Sequence, residues 1–189
     1  MRRIITACVA GVLGLVLAAP VLGQDRTYKV LATSKTSTMQ KEMQEAGAAG
    51  YRFVAVMGGE TAGGGKEVVV LMEKVKDDAN TYSYRLLATN RTSTLQRELQ
   101  DAADAGYMVV GQTVFESLLG GKETAALLQR ESAATGSGFE YKLLATSKTS
   151  TMEKEIRELA ELGYQAIGLT VGKTALGGSE LVVVARKPK

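Results

Sequence analysis

The chain has 189 residues and a formal net charge of +3, with 23 basic and 20 acidic side chains. This near balance, with three phenylalanines and no tryptophan, gives little support to a nucleic-acid-binding function. Histidine is absent and cysteine occurs once, at Cys8, so the usual ligands of zinc, copper and haem are missing from nearly all of the chain. We therefore expect no metal site and no cofactor.

Residues 1–23 have the composition of a secretory signal peptide. Two arginines precede an apolar run over residues 4–22, and Val21 and Gly23 are small enough for the −3 and −1 positions of a signal-peptidase site. The alternative is an uncleaved anchor, because about 20 apolar residues can span a bilayer. In both cases the chain from Gln24 onward is exported. We predict a periplasmic or extracellular protein, with no stable membrane insertion after signal cleavage.

The rest of the chain contains three copies of one unit. The segment LATSKTSTMQKE at residues 31–42 recurs as LATNRTSTLQRE at 87–98 and as LATSKTSTMEKE at 144–155. Such repetition at a nearly constant period is typical of repeat architectures. The copies open with tyrosines spaced 56 and 57 residues apart: Tyr28, Tyr84 and Tyr141.

Each copy predicts a strand followed by a helix. The strand is YKVLAT, YRLLAT or YKLLAT, and a polar loop separates it from an amphipathic segment. In the first copy Met39, Met43 and Ala46 recur at helical spacing, and Gly50 supplies a left-handed residue that ends the helix. The equivalent residues are Leu95, Leu99, Ala102 and Gly106 in the second copy, and Met152, Ile156, Leu159 and Gly163 in the third.

A capping box is predicted at the start of each helix. Each of three serines stands three residues before a glutamine or glutamate, the spacing at which the hydroxyl accepts from the third backbone N–H and the longer side chain reaches back. The pairs are Ser37 with Gln40, Ser93 with Gln96, and Ser150 with Glu153.

Two strands joined by a turn follow each helix. They read YRFVAVM and EVVVLME in the first copy, YMVVGQTVF and ETAALLQR in the second, and YQAIGLTV and ELVVVAR in the third. We predict that the last two strands of a copy form a hairpin and that the first two run parallel through a right-handed crossover. The predicted fold class is α+β: three tandem βαββ repeats, each a small mixed three-stranded sheet with one helix, packed on each other.

The domain boundaries follow from these copies and from polar or Ser/Gly-rich segments between them. We predict a signal peptide at 1–23, repeat 1 at 24–76, a linker at 77–83, repeat 2 at 84–131, a Ser/Gly linker at 132–138 and repeat 3 at 139–189.

The third copy also resembles a known family. The stretch ELAELGYQAIGLTV, followed by a hairpin and VVVARKPK, resembles the small bacterial family called domain of unknown function 4177. That family's unit has a strand, a helix ending Leu-x-x-x-Gly-Trp/Tyr and a terminal hairpin, and the resemblance covers each of the three copies. Tyrosine stands here where the family frequently has tryptophan. The resemblance implies the fold, and it implies no activity, cofactor or catalytic residue.

The strands are apolar on both faces, which predicts that the repeats cover one another. Phe53, Ala55 and Met57 alternate with Val54 and Val56 in the first copy. One helix can cover one face of its sheet, whereas antiparallel sheets with a solvated face normally alternate with polar residues. We infer that the sheets pack on each other or pair at their edges. Three repeats can then form a pseudo-threefold cluster, or one repeat is left over and can dimerise. A homo-oligomer is therefore among the predicted assemblies.

The repeated strand-to-helix loop is the candidate binding site. Free N–H groups at a helix start, hydroxyls and one cation suit a phosphate, a carboxylate or an acidic glycan. The alternative is that the serine caps the helix, the threonines shape the turn and the cation is solvated. The candidate residues are Lys35, Thr36 and Ser37; Arg91, Thr92 and Ser93; and Lys148, Thr149 and Ser150.

No arrangement of residues predicts catalysis. The recurring Glu42, Glu98 and Glu155 lie in first turns of helices, where negative charge suits the helix dipole. A Ser-His-Asp triad needs a histidine, although a dyad of Ser37 with Lys41 stays open. Three tyrosines after the helix-ending glycines, Tyr51, Tyr107 and Tyr164, could stack on a sugar, but core aromatics are the favoured interpretation.

We therefore predict a secreted or periplasmic, non-enzymatic binding or interaction protein whose repeated loops bind an anionic or glycan group. The predicted partners are a small anion, a glycan or a protein, and no nucleic acid. The alternatives are a self-assembling structural envelope protein and, less favoured, an enzyme of unfamiliar type.

Overall fold

The computed structural model describes residues 25–60, 65–116, 122–133, 138–173 and 178–189, and the predicted signal peptide lies outside them. The described residues form three successive βαββ units, as predicted. Repeat 1 contains β1 (Arg26–Thr33), α1 (Thr36–Ala48), β2 (Arg52–Glu60) and β3 (Lys66–Val75); repeat 2 contains β4 (Tyr82–Thr89), α2 (Thr92–Asp104), β5 (Met108–Glu116) and β6 (Lys122–Glu131); repeat 3 contains β7 (Phe139–Thr146), α3 (Thr149–Glu161), β8 (Gln165–Lys173) and β9 (Ser179–Pro188).

The last strand of each repeat lies in the middle of its sheet. The orders are β1-β3-β2, β4-β6-β5 and β7-β9-β8, and every neighbouring pair is antiparallel. The first two strands of a repeat run in the same direction, as predicted, but they are not neighbours. The expected mixed sheet is therefore wrong, because the returning hairpin strand enters the gap left by the crossover and forms antiparallel ladders on both of its edges.

The helices end where the sequence predicts. Gly50, Gly106 and Gly163 have φ values of 88°, 87° and 84°, a region that side chains with a Cβ rarely adopt. In repeat 1 the amide of the next residue, Tyr51, donates to the carbonyl of Ala46 at 3.0 Å. The same carbonyl also accepts from the N–H of Ala49 at 3.1 Å, so two backbone hydrogen bonds close the C-terminal end of α1.

Each of the first two helices packs between two sheets. The buried side chains of α1, which include Met39 and Met43, form one core with Met72 of β3 and with Tyr84 and Leu127 of the next repeat. The helix α2 makes the same arrangement with sheets 2 and 3. For sheets 2 and 3, the preceding repeat thus supplies the second cover that the two-sided apolar strands predicted.

The repeats stack in chain order. Extensive packing joins repeat 1 to repeat 2 and repeat 2 to repeat 3, and among the described residues no extensively packed pair of elements joins repeats 1 and 3. Sheets of adjacent repeats share no backbone ladder in the described ranges. Of the two predicted contacts, packing of the sheets on each other is therefore observed and pairing at their edges is not. The pseudo-threefold cluster is wrong for the described residues, because repeats 1 and 3 are not packed together as the other pairs are. The connection from repeat 1 to repeat 2 is short, since β4 begins at Tyr82, inside the predicted 77–83 linker.

Sheets 1 and 2 approach each other closely at Gly111. A Cβ at this position would lie 2.7 Å from Cζ of Phe53 and 2.9 Å from Cγ1 of Val56, both on β2. The equivalent residue of repeat 3, Gly168, meets Gln112 of β5 in the same way. Repeat 1 has Ala55 at this position, where it is exposed among the described residues.

We expect Gly111→Ala to lower the free energy of unfolding by about 1–3 kcal/mol, because the added methyl group must displace two packed side chains. Urea unfolding measures this change. The matched control is Gly59→Ala, where a Cβ would meet nothing within 4 Å. Equal effects of the two substitutions would contradict a close approach at Gly111.

Candidate functional site

The three predicted binding loops have one common geometry. Each helix begins at the threonine of the loop, and the preceding cation, Lys35, Arg91 or Lys148, is the N-cap residue in an extended conformation. The predicted capping boxes are wrong: no side chain caps any of the three helices, and each serine lies inside the first turn.

A threonine at the end of each first strand fixes the loop. The hydroxyl of Thr33 accepts a hydrogen bond from the backbone N–H of Lys35 at 3.1 Å, and Thr89 does the same for Arg91. Thr146 accepts from Lys148 at 3.4 Å. Part of the repeated motif is thus explained by turn formation.

The candidate loop residues are accessible but remain in three separate places. The cations Lys35, Arg91 and Lys148 are exposed, as are Ser37, Ser93 and Ser150. The shallow depression at Ser37 is lined by residues of α1, and the one at Ser93 is lined by residues of α2 and β7. Neither brings two of the loops together, so anion or glycan binding there stays a prediction for each loop alone.

The glutamines assigned to capping boxes instead bind the next repeat. The side-chain amide of Gln40 donates to the carbonyl of Tyr84 at 2.8 Å, and its oxygen accepts from the N–H of Leu86 at 2.6 Å. One turn later, Gln44 accepts from the N–H of Tyr84 at 2.9 Å. The two side chains therefore pair with the free edge of β4 as a neighbouring strand would.

Repeat 2 reproduces this contact on repeat 3. Gln96 donates to the carbonyl of Tyr141 at 2.9 Å and accepts from the N–H of Leu143 at 2.7 Å. Gln100 accepts from the N–H of Tyr141 at 3.0 Å. Two independent copies of the same three hydrogen bonds identify this contact as the junction between repeats.

The third helix has different residues at these positions. Glu153 and Arg157 replace the two glutamines, and they form an ion pair with each other at 2.9 Å on an exposed surface. In the described part of the chain, both side chains are exposed and no strand edge lies against them. The sequence carried a signal for this junction: the first two copies have glutamine at both positions, and only the last copy has Glu and Arg instead.

The outer face of sheet 1 has no neighbour within the described residues. We call it the N-terminal face; its apolar part consists of Tyr28, Val30, Met57, Val69 and Leu71. Tyr28 is 59 % exposed and Met57 is 73 % exposed, whereas Tyr84 and Tyr141, the counterparts of Tyr28, are each 1 % exposed. Part of this face forms an apolar depression of about 340 Å³.

A second apolar surface lies at the other end of the stack. We call it the C-terminal face; it consists of Leu162, Leu169 and Val171 beside Glu153 and Arg157. Leu169 and Val171 are 62 % and 60 % exposed. They lie on the sheet face where α3 packs, at the positions through which sheets 1 and 2 contact the repeat that follows them.

The tyrosines after the helix-ending glycines are core residues, as the favoured interpretation predicted. Tyr107 and Tyr164 are buried, and Tyr51 is half-buried against the first core. A cation lies over each ring: Lys29 is 4.9 Å from the centre of Tyr51, Arg85 is 4.5 Å from Tyr107, and Lys187 is 4.6 Å from Tyr164. The ring face that a sugar would use is thus partly covered.

Carboxylates with shifted pKa values belong to ion pairs between strands or repeats. Hydrogen bonds from Arg26 at 2.6 Å and Arg52 at 2.6 and 2.9 Å hold the pKa of Glu73 below its usual value. Lys66 of repeat 1 likewise lowers the pKa of Glu116 of repeat 2 through a 2.6 Å contact. In the described ranges, no group of three Asp, Glu, His or Cys side chains is arranged to hold a metal ion.

Comparisons with protein-family models, with curated proteins and with solved structures found no match to this chain. The resemblance to the domain of unknown function 4177 family therefore rests on the sequence motifs alone. Among the described helices, none is both long enough and apolar enough to cross a membrane.

We expect Gln96→Ala to lower the free energy of unfolding by about 1–3 kcal/mol, because the carbonyl of Tyr141 and the N–H of Leu143 lose their partner. The matched control is Glu153→Ala at the equivalent position of α3, which should change stability by less than about 0.5 kcal/mol. Urea unfolding of both variants measures the difference. A neutral Gln96→Ala variant would show that the junction does not depend on these bonds.

Acid should weaken the fold in part through Glu73. Its pKa is lowered in the folded state, so the stabilisation is complete above its ordinary pKa of 4.5 and is lost as the pH falls through the folded-state value. We expect Glu73→Gln to flatten the fall in unfolding free energy below that pH. The comparison is Glu158→Gln, whose ion pair with Lys154 lies on an exposed helix surface and should leave the profile unchanged.

Proposed function

We propose that the protein is an exported, non-enzymatic interaction protein that binds a macromolecular partner through its N-terminal face. The observation that carries this proposal is the exposure of Tyr28, whose counterparts Tyr84 and Tyr141 are buried in the other two repeats. Contiguous apolar surface of this kind on a soluble protein is typical of a protein-binding site.

The pattern of exposure supports an interface. Tyr28, Val30 and Met57 are exposed on the edge strands, while Val69 and Leu71 are half-buried on the central strand. Charged residues lie at one end of the same face, where Arg26 and Arg52 pair with Glu73. An apolar centre with charged residues at its margin is the usual anatomy of a protein interface.

A non-catalytic function is supported by the position of the perturbed carboxylates. Glu73, Glu116 and Glu140 each have a lowered pKa through a partner of opposite charge or a hydrogen-bond donor within the stack. For Glu140 the hydroxyl of Tyr164 donates to Oε1 at 2.5 Å, and the amine of Lys187 lies 3.3 Å from Oε2. Such groups stabilise packing between strands and repeats. Export is supported by the sequence of residues 1–23.

Site-directed photo-cross-linking in cells that export the protein tests this proposal. A photoreactive amino acid at position 57, on the N-terminal face, should give a discrete cross-linked product, because a bound partner covers that side chain. The control is the same amino acid at position 97, on the exposed surface of α2 in the middle of the stack. No product from position 57, or equal products from both positions, would refute binding through this face.

A further inference from the structure

We propose that the partner is a second copy of this chain, and that the C-terminal face of one copy binds the N-terminal face of the next. This inference rests on the proposed function and names its partner. The protein would thus assemble head to tail, with each junction between copies resembling a junction between repeats.

The chain already forms this junction twice. At the first, α1 and sheet 1 cover the outer face of sheet 2; at the second, α2 and sheet 2 cover the outer face of sheet 3. The outer face of sheet 1 and the helix-bearing face of sheet 3 are the two halves of a third such junction, and the described repeats of one chain hold them at opposite ends of the stack. The residues that are large, hydrophobic and exposed in the described part of the chain fall in repeats 1 and 3.

The apolar side chains of the two ends match by position. In the second junction, the amide of Gln112 on β5 donates to the hydroxyl of Thr170 on β8 at 2.8 Å. The residue equivalent to Gln112 in repeat 3 is Leu169, and the residue equivalent to Thr170 in repeat 1 is Met57. The polar pair inside the chain would therefore be replaced by an apolar pair between chains.

The charges of the two ends also match. In the second junction Asp104, the last residue of α2, contacts Lys189 after β9 at 2.5 Å. The equivalent residue of α3 is Glu161, and the equivalent residue of repeat 1 is Lys76. Docking on the same pattern brings a carboxylate of one copy to an amine of the next.

The free edge of β1 offers the backbone groups that the junction uses. Tyr28 and Val30 correspond to Tyr84 and Leu86, which the glutamines of α1 bind. At the end of the stack, Glu153 can accept from the N–H of Val30, and Arg157 can donate to the carbonyl of Tyr28. Neither supplies the full donor and acceptor set of two glutamines.

Two differences make the junction between copies weaker than the internal ones. The first is the replacement of the glutamine pair by Glu153 and Arg157. The second is Ala55, which adds a methyl group where Gly111 and Gly168 allow close approach. We therefore expect association that depends on protein concentration. Because the two surfaces differ, each bound copy keeps one face free, and assembly continues beyond the dimer.

Two end-blocking variants test the inference by sedimentation velocity. Met57→Asp places a charge on the N-terminal face, and Leu169→Asp places one on the C-terminal face; both residues are exposed, so the fold should persist. The wild-type chain should form species larger than a dimer as its concentration rises. Each variant alone should remain monomeric, and an equimolar mixture should form a dimer and nothing larger.

The controls separate the possible outcomes. Urea unfolding establishes that each variant is folded, intact mass defines the N-terminus of the purified chain, and Arg97→Asp in the middle of the stack should assemble as the wild type does. A monomeric wild type at every concentration overturns the inference. A variant pair whose mixture stays monomeric overturns it as well, as does assembly that Met57→Asp abolishes and Leu169→Asp leaves intact, which would mean that N-terminal faces bind each other.

The two proposals fail in different ways. If the purified wild type is monomeric while position 57 is cross-linked to another protein in cells, the head-to-tail inference is wrong and the interaction function stands. If position 57 yields no cross-link and the chain is monomeric, both are wrong.

Discussion

The structure depends on one constraint: each three-stranded sheet has two apolar faces, and its own helix can cover only one. The alternate residues of the central strands show this directly. Ala126 and Leu128 of β6 belong to the core around α2, while Ala125 and Leu127 belong to the core around α1. A single repeat would therefore leave one of these faces in water, and stacking is what makes the unit stable, as in other repeat proteins.

The glutamines of α1 and α2 solve a second problem created by the stack. When a helix lies over the edge of the next sheet, the outward N–H and C=O groups of the edge strand lose access to water and need partners. A primary amide supplies a donor and an acceptor together, which neither a carboxylate nor a guanidinium does. Gln40 and Gln96 use both atoms in this way. In α3 the positions face solvent, and charged residues replace them.

Sequence reasoning predicted most of the fold because the relevant signals are local. The helix-ending glycines, the apolar spacing of Met39 and Met43, and the order of elements all follow from short patterns. The strand order could not be predicted in this way, since no local pattern indicates that β3 inserts between β1 and β2.

The capping box failed for a related reason. Ser37 and Gln40 have the right spacing, but the glutamine makes its bonds to a strand more than 40 residues away. The sequence therefore located the loops between strand and helix but did not reveal that the glutamines bind the next repeat. The two end faces were not predicted as sites, because the exposure of a side chain depends on which neighbouring repeat covers it.

The differences between the repeats indicate that the terminal repeats are not simple capping repeats. A cap would carry polar residues across the whole terminal surface. At the N-terminal face, Arg26, Arg52 and Glu73 take the positions of Tyr82, Met108 and Gln129 at one end of the strands, and Glu60 borders the apolar depression at the other. The apolar part of this face keeps tyrosine, valine, methionine and leucine, although polar side chains there would be free to contact water. Retention of apolar side chains on a face that no described residue covers is what an intermolecular contact requires, and it distinguishes this end from a surface adapted only to solvent.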